Sequence, residues 1–139
     1  MTANIDIFKN MNKYQEWAPI ILRVVVGFFF MMHGISKIWG GFEGFSGMIT
    51  GMLGLPLFFA YIVAGAEFIG GIMLIIGFLT RYWAIVLSII MLVATFAVKI
   101  SGGIMKAELD LTFLAILVVL FFMGGGKWSV DTWCAKRSQ

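Results

Sequence analysis

Residues 57–100 form an almost uninterrupted apolar run of 44 residues. As one straight helix this run would be roughly 66 Å long, about twice the thickness of the hydrocarbon core of a bilayer. The run must therefore fold back on itself, and its only polar break near the middle is Thr80-Arg81-Tyr82. The sequence predicts two membrane-spanning helices in this run, at residues 57–79 and 83–100.

Two further apolar segments flank this run and predict a first span at residues 18–39 and a fourth at 108–123. The first segment is not followed by the small-residue cleavage site that a signal peptide has. Residues 40–56 are rich in glycine, which predicts a loop with a short interfacial helix. We therefore expect an all-α membrane protein, a bundle of four transmembrane helices in one domain over residues 1–139.

The composition agrees with a membrane protein and excludes several other classes. Hydrophobic residues make up 61% of the 139-residue chain and charged residues 12%, against about 45–50% and about 25% in soluble domains. No basic run indicates nucleic-acid binding, and no phosphate loop or dinucleotide fingerprint predicts a bound nucleotide. With one histidine and one cysteine, the chain offers neither an internal disulfide nor a multi-histidine metal site, and a zinc or iron site would need carboxylates to complete its ligands. We expect no metal site.

The distribution of positive charge predicts the orientation. With four spans, one side carries seven basic residues and the other side three, Lys37, Lys99 and Lys106. Because basic residues concentrate on the cytoplasmic side, both termini are expected in the cytoplasm, with the chain in the cell (plasma) membrane. All five tryptophans flank the predicted spans, as is typical of residues at membrane interfaces; they are Trp17, Trp39, Trp83, Trp128 and Trp133.

Glu67 is the most informative single residue. It lies ten residues into the second span, about 15 Å deep and near the midplane, where an ionised side chain costs roughly 3 kcal/mol on insertion. Such a residue is expected to face the bundle interior and to have a partner. Its helix face is otherwise made of small residues that permit close packing, namely Ala60, Ala64, Gly70 and Gly71. A functional carboxylate and a protonated glutamate bonded between helices both fit this pattern.

Other ionisable residues are predicted to lie in the same half of the bundle as Glu67. His33 and Lys37 are four residues apart, hence on one face of the first span, and Lys99 ends the third span on a face shared with Ser88 and Thr95. Glu108 and Asp110 begin the fourth span, and only one of them can point inward. We expect Glu108, whose face includes Thr112 and Ala115. The sequence thus predicts a shared polar cavity formed by His33, Lys37, Glu67, Lys99 and Glu108, although Lys37 and Lys99 could instead extend to the interface.

Arg23 lies about 7.5 Å into the first span. One interpretation is that its side chain extends to the interface. The other is a structural helix lock, in which the guanidinium bonds carbonyl groups of the loop near residue 81.

Several motifs resemble the DoxX family of small four-helix membrane proteins. They are Leu22-Arg23 with His33-Gly34-Ile35-Ser36-Lys37, Glu67 with Gly77-Phe78-Leu79-Thr80-Arg81, Glu108, and the closing segment Gly124-Gly125-Gly126-Lys127-Trp128-Ser129-Val130-Asp131. The resemblance covers roughly residues 20–132. Gly125 stands where the family often has proline, and Lys99 stands where histidine is expected more often.

The resemblance implies thiol or sulfur redox work at the membrane, because the family includes a membrane subunit of thiosulfate:quinone oxidoreductase and membrane partners of soluble oxidative-stress enzymes. The predicted cavity could then bind a quinone or a small anionic substrate. Because the chain has no motif of its own for an electron-carrying cofactor, a soluble or membrane redox partner is expected. A non-catalytic scaffold for such enzymes and a small proton-coupled transporter remain alternatives.

Overall fold

The computed structural model describes residues 12–99 and 102–138, and every regular element in these ranges is helical. Lys9, the end of the third predicted span at residue 100, and the side chain of Lys13 lie outside the described residues. Six α-helices follow in order: α1 (Ala18–Ile35), α2 (Phe42–Gly51), α3 (Phe58–Ile76), α4 (Thr80–Val93), α5 (Ile104–Met123) and α6 (Val130–Arg137). A 3-10 helix (Asn12–Trp17) precedes α1, and π-helical turns extend α1 (Ser36–Gly40) and α4 (Ala94–Lys99).

Three helical stretches in the described ranges are long and apolar enough to cross a membrane: Tyr14–Gly40, Phe58–Ile76 and Thr80–Lys99. They correspond to the first three predicted spans. The fourth predicted span falls within α5, whose 20 residues begin at Ile104, about one turn before residue 108. Lys106, Glu108 and Asp110 near the start of α5 set it apart from the other three, so the four-span count remains a prediction.

Close contact between α1 and α3 is possible because glycines line both helices. A Cβ atom on Gly27 would lie 2.6 Å from the carbonyl oxygen of Gly71, and a Cβ on Gly34 would lie 2.5 Å from the backbone nitrogen of Phe68. Such distances leave no room for any side chain, so the two backbones are in direct contact, as is common between membrane helices. This contact places Glu67, one residue before Phe68, against the C-terminal end of α1.

The apolar core lies between α1, α3, α4 and α5. Its fully buried members include Phe30, Leu74, Leu87, Leu117 and Leu120. Many other large apolar side chains are exposed on the outer faces of the helices, among them Ile62, Ile69, Ile89 and Phe122. This arrangement suits helices whose outer faces contact lipid rather than water.

One sharp turn with two left-handed residues connects α3 to α4. α3 ends at Gly77, which has a left-handed backbone (φ 73°) that favours glycine, and Leu79 is also left-handed (φ 51°). The Asp131 carboxylate accepts hydrogen bonds from the backbone N–H groups of Leu79 (2.6 Å) and Thr80 (2.9 Å). The C-terminal segment therefore satisfies two of the free N–H groups at the start of α4.

Arg23 is buried, and its guanidinium donates a hydrogen bond to the carbonyl oxygen of Trp128. The partner predicted for such a lock was the loop near residue 81, whereas in the structure the carbonyl belongs to the closing segment before α6. The reason is that this segment folds back over the α3–α4 turn, where the backbone N–H of Asp131 donates to the carbonyl of Gly77 at 3.0 Å.

Candidate functional site

Lys37 and Glu67 form an ion pair inside the helix bundle. The Lys37 ammonium (Nζ) lies 2.6 Å from both carboxylate oxygens of Glu67. The Glu67 side chain is 1% exposed and that of Lys37 is 23% exposed. Lys37 also lies over the Phe45 ring, 4.5 Å from its centre, in a cation–π contact. Glu67 thus has the partner that its depth in the membrane requires, and that partner comes from α1.

A second ion pair joins the end of the α4 extension to α5. The Lys99 ammonium donates a hydrogen bond to Asp110 Oδ1 at 2.7 Å, and the Asp110 side chain is 8% exposed. Thr95, one turn before Lys99, is completely buried. The face that carries Thr95 and Lys99 therefore points toward α5, where Asp110 neutralises the lysine.

Asp110, and not Glu108, is the inward-pointing carboxylate of α5. Glu108 is exposed, so the prediction that it points inward is wrong. The apolar stripe of α5 explains the choice, because Asp110 precedes the fully buried Leu117 and Leu120 by seven and ten residues, which places the three on one helix face. The prediction of Glu108 rested on Thr112 and Ala115, which are exposed like Glu108. The spacing of the leucines is the sequence signal that identifies Asp110.

Both lysines lie on π-helical turns, Lys37 in Ser36–Gly40 and Lys99 in Ala94–Lys99. In a π turn the backbone hydrogen bond spans one residue more than in an α turn, so the side chains that follow point in a different direction. Such turns are frequent at functional sites. A helical wheel assumes regular α geometry, so it does not give the direction of these two lysine side chains. Here the widened turns coincide with the two points where a cation enters the bundle.

The two ion pairs border a cavity of about 390 Å³. His33 also contributes to its lining but is itself exposed, and its ring meets the edge of Phe113 with 6.2 Å between ring centres. Apart from His33 and the two ion pairs, the described lining residues are apolar, and they come from α1, α2, α3, the extended α4 and α5. His33, Lys37, Glu67 and Lys99 are therefore brought together, with Asp110 in the place expected for Glu108.

The glycine-rich segment between the first two long helices covers one side of the cavity. Phe45, Met48 and Ile49 of α2 and Leu53 and Leu55 after it all line the cavity. Ile49 is 4% exposed. The sequence predicts a short interfacial helix in this segment, and α2 is that helix; its role as a cavity wall was not foreseen.

The chemistry available in this cavity is that of an apolar chamber with polar groups in fixed positions. Two lysines and two carboxylates contribute two positive and two negative charges among the described lining residues, so the charges balance. Lysine N–H groups can donate hydrogen bonds to a ligand carbonyl, and carboxylates or the imidazole can exchange protons with it. A cavity of this size and lining suits a small, largely apolar ligand with one or two polar atoms.

Comparison with known proteins agrees with the motifs. The DoxX family model matches residues 18–100. The putative oxidoreductase CatD of Bacillus subtilis is 34% identical over 129 residues, covering 91% of this chain and 93% of the relative. An uncharacterized protein of Haemophilus influenzae is 32% identical over 139 residues, with 92% and 98% coverage.

An uncharacterized membrane protein of Mycobacterium tuberculosis is 30% identical over 142 residues, covering 86% of this chain and 82% of the relative. No solved structure matches the chain significantly. The matched residues 18–100 include α1, α3, α4 and the cavity residues Lys37, Glu67 and Lys99. The alignments with the relatives cover 86–92% of this chain. The chain therefore belongs to the DoxX family of membrane proteins.

Proposed function

We propose that this protein is an integral membrane subunit of a thiol or sulfur redox system, and that its cavity binds the head group of a quinone. The observation that carries the proposal is the apolar cavity bordered by the Lys37–Glu67 and Lys99–Asp110 ion pairs. The name of the Bacillus subtilis relative, a putative oxidoreductase, supports the same class of chemistry.

A quinone head group fits this cavity better than a small anion such as an oxyanion of sulfur. An anion needs uncompensated positive charge when it leaves water, whereas each lysine here already has a carboxylate partner. A neutral ring with two carbonyl oxygens needs apolar walls and hydrogen-bond donors, and the cavity has both. The balanced charges therefore favour the quinone among the ligands that the sequence left open.

A bound quinone would supply reversible chemistry of two electrons and two protons. Lys37 and Lys99 would donate hydrogen bonds to its carbonyl oxygens, and Phe45 and Phe113, which line the cavity, would contact its ring. Glu67, Asp110 and the exposed His33 are the groups that would exchange protons with the ligand. The electrons would come from a thiol or reduced sulfur compound through a partner protein, which this proposal includes.

We further propose that the chain crosses the cell membrane four times, with both termini in the cytoplasm. The Lys99–Asp110 pair supports α5 as the fourth span, because a neutralised Asp110 costs less in the membrane than a free carboxylate. The positive-inside rule supports the orientation. Lys37 and Lys99 are paired with carboxylates. Among the described lysines and arginines, Lys106 near the start of α5 is then the one exposed cation at the cavity end, against Arg81, Lys127, Lys136 and Arg137 at the other end.

Direct binding of a short-chain quinone to the detergent-purified protein, measured by calorimetric titration, tests the proposal. Glu67→Gln and Asp110→Asn each leave a cavity lysine without its carboxylate partner. This disturbs the ammonium groups proposed to bind the quinone, and we expect binding to weaken about tenfold, or about 1.4 kcal/mol. Glu108→Gln is the matched control, because the same chemical change occurs two residues from Asp110 on the exposed face of α5, and it should bind as the parent does. Equal affinity in all four proteins would overturn the proposal.

A further inference from the structure

A second pocket, of about 400 Å³, lies at the end of the bundle opposite the cavity, between the last residue of α3 and the start of α6. Hydrogen bonds within the closing segment hold the wall of this pocket in place: the hydroxyl groups of Ser129 and Thr132 each donate a hydrogen bond to the carbonyl oxygen of Gly126 at 2.7 Å. Asp131 holds the same segment to the start of α4. The pocket is therefore preformed and separate from the site proposed for the quinone.

Two lysines give this pocket a positive character. Lys127 and Lys136 both line it and both are exposed. Lys127 contacts Glu16 at 3.1 Å, but both side chains are more than half exposed (57% and 58%), and exposed pairs of this kind contribute little. The Asp131 carboxylate faces the α4 backbone. An anion that enters the pocket therefore meets two available ammonium groups.

Two tryptophans border the pocket and place it at a membrane interface. Trp128 is 66% exposed and Trp133 is 56% exposed, and the Arg137 guanidinium stacks over the Trp133 ring at 3.9 Å. Exposed tryptophans with an apolar ring and a polar N–H are typical of the headgroup region. A ligand of this pocket would thus lie among lipid headgroups.

An apolar track leads from the pocket along the outside of α3. Ile76 lines the pocket, and Ile69 and Ile62 precede it at intervals of seven residues. All three are exposed, at 45%, 45% and 56%, and the interval places them in one row parallel to the helix axis. The row continues into the part of α3 that is long and apolar enough to span a membrane.

We propose that this pocket binds an anionic glycerophospholipid. The phosphate contacts Lys127 and Lys136, the tryptophans contact the glycerol region, and one acyl chain lies along Ile76, Ile69 and Ile62. The apolar row distinguishes this ligand from a soluble phosphate, which would have no use for it. Zwitterionic phosphatidylcholine lacks the net negative charge that two ammonium groups favour.

Native mass spectrometry of the detergent-purified protein tests this proposal, with phosphatidylglycerol and phosphatidylcholine of identical acyl chains. We expect phosphatidylglycerol to be retained preferentially, and the preference to fall about fivefold for each of Lys127→Gln and Lys136→Gln. Glu16→Gln removes a negative charge 3.1 Å from Lys127 and should raise the preference slightly, because the exposed pair contributes little. Lys106→Gln removes the same charge at the opposite end of the bundle and should leave the preference unchanged.

Ile69→Ala combined with Ile76→Ala should weaken retention of phosphatidylglycerol without altering its preference over phosphatidylcholine. Equal retention of the two lipids, or an equal effect of Lys106→Gln and Lys136→Gln, would overturn the proposal. Glycerol 3-phosphate that binds as tightly as phosphatidylglycerol would overturn it as well, because the site would then recognise a soluble phosphate. None of these results depends on quinone binding.

Discussion

Lys37 of the first long helix and Glu67 of the second are joined by two hydrogen bonds of 2.6 Å, one to each carboxylate oxygen. The pair exists because Gly34 allows the backbone of α3 to approach that of α1. Each charge would be costly alone at this depth. Paired, they are retained in a bundle whose other contacts are mainly apolar.

Removing one partner of this pair should destabilise the protein more than removing both. Lys37→Met leaves the buried Glu67 carboxylate without a counterion, which typically costs about 3–5 kcal/mol, so the melting temperature in detergent should fall clearly. Lys37→Met combined with Glu67→Leu replaces the pair by apolar side chains and should regain most of that loss. A Lys37→Met variant as stable as the parent protein would contradict the ion pair.

The sequence predicted much of this architecture because hydropathy constrains membrane helices strongly. The apolar run over residues 57–100 and its single polar break indicated α3 and the extended α4, and the small-residue face around Glu67 indicated close packing. The choice between Glu108 and Asp110 was wrong because it relied on polar neighbours rather than on the leucine spacing. Burial is set by the whole interface of a helix, to which one or two polar neighbours contribute little.

Two features were beyond the reach of sequence reasoning. The π-helical turns that carry Lys37 and Lys99 have no simple sequence signature, and wheel geometry assumes regular α-helices. The closing segment folds back through hydrogen bonds between Asp131 and the backbone of Leu79 and Thr80. Because these contacts join positions about 50 residues apart, they follow from the completed bundle and from no local pattern.

The glycine contact between α1 and α3 should tolerate no added methyl group. A Cβ on Gly71 would lie 2.4 Å from the backbone nitrogen of Met31, so Gly71→Ala must push the helices apart, at a cost of about 1–3 kcal/mol. We expect a lower melting temperature and weaker quinone binding, because the shift also separates Lys37 from Glu67.

Gly47→Ala is the control for this substitution. Gly47 also lies in a helix, α2, but a Cβ there would have no neighbour within 4 Å among the described residues. Alanine favours the helical backbone over glycine by up to about 1 kcal/mol, so this variant should be as stable as the parent or slightly more so. If Gly71→Ala and Gly47→Ala had the same effect, the helices would not be in the contact described.

The Asp131 carboxylate should contribute to stability although it lies outside the long helices. Asp131→Ala leaves two backbone N–H groups at the start of α4 without their acceptor, a loss of about 1–3 kcal/mol, and it frees the closing segment. Limited proteolysis should then cleave after Lys127 or within α6 faster than in the parent. Glu43→Ala removes an exposed carboxylate from the first turn of α2. It should cost at most about 1 kcal/mol through the lost interaction with the helix dipole and should leave cleavage of the closing segment unchanged.

Cys134 offers a direct test of the proposed orientation. It is an exposed free cysteine on α6 and the only cysteine of the chain. With the C-terminus in the cytoplasm, a membrane-impermeant maleimide should label it only after cells are permeabilised.

Cys134→Ser combined with Met105→Cys moves the thiol to the cavity end of the bundle, to a residue near the start of α5 that is 75% exposed. This variant should react with the maleimide in intact cells. Labelling of Cys134 in intact cells, with protection of the cysteine at position 105, would reverse the proposed orientation. Labelling of both sites from the same side would contradict α5 as a membrane-spanning helix.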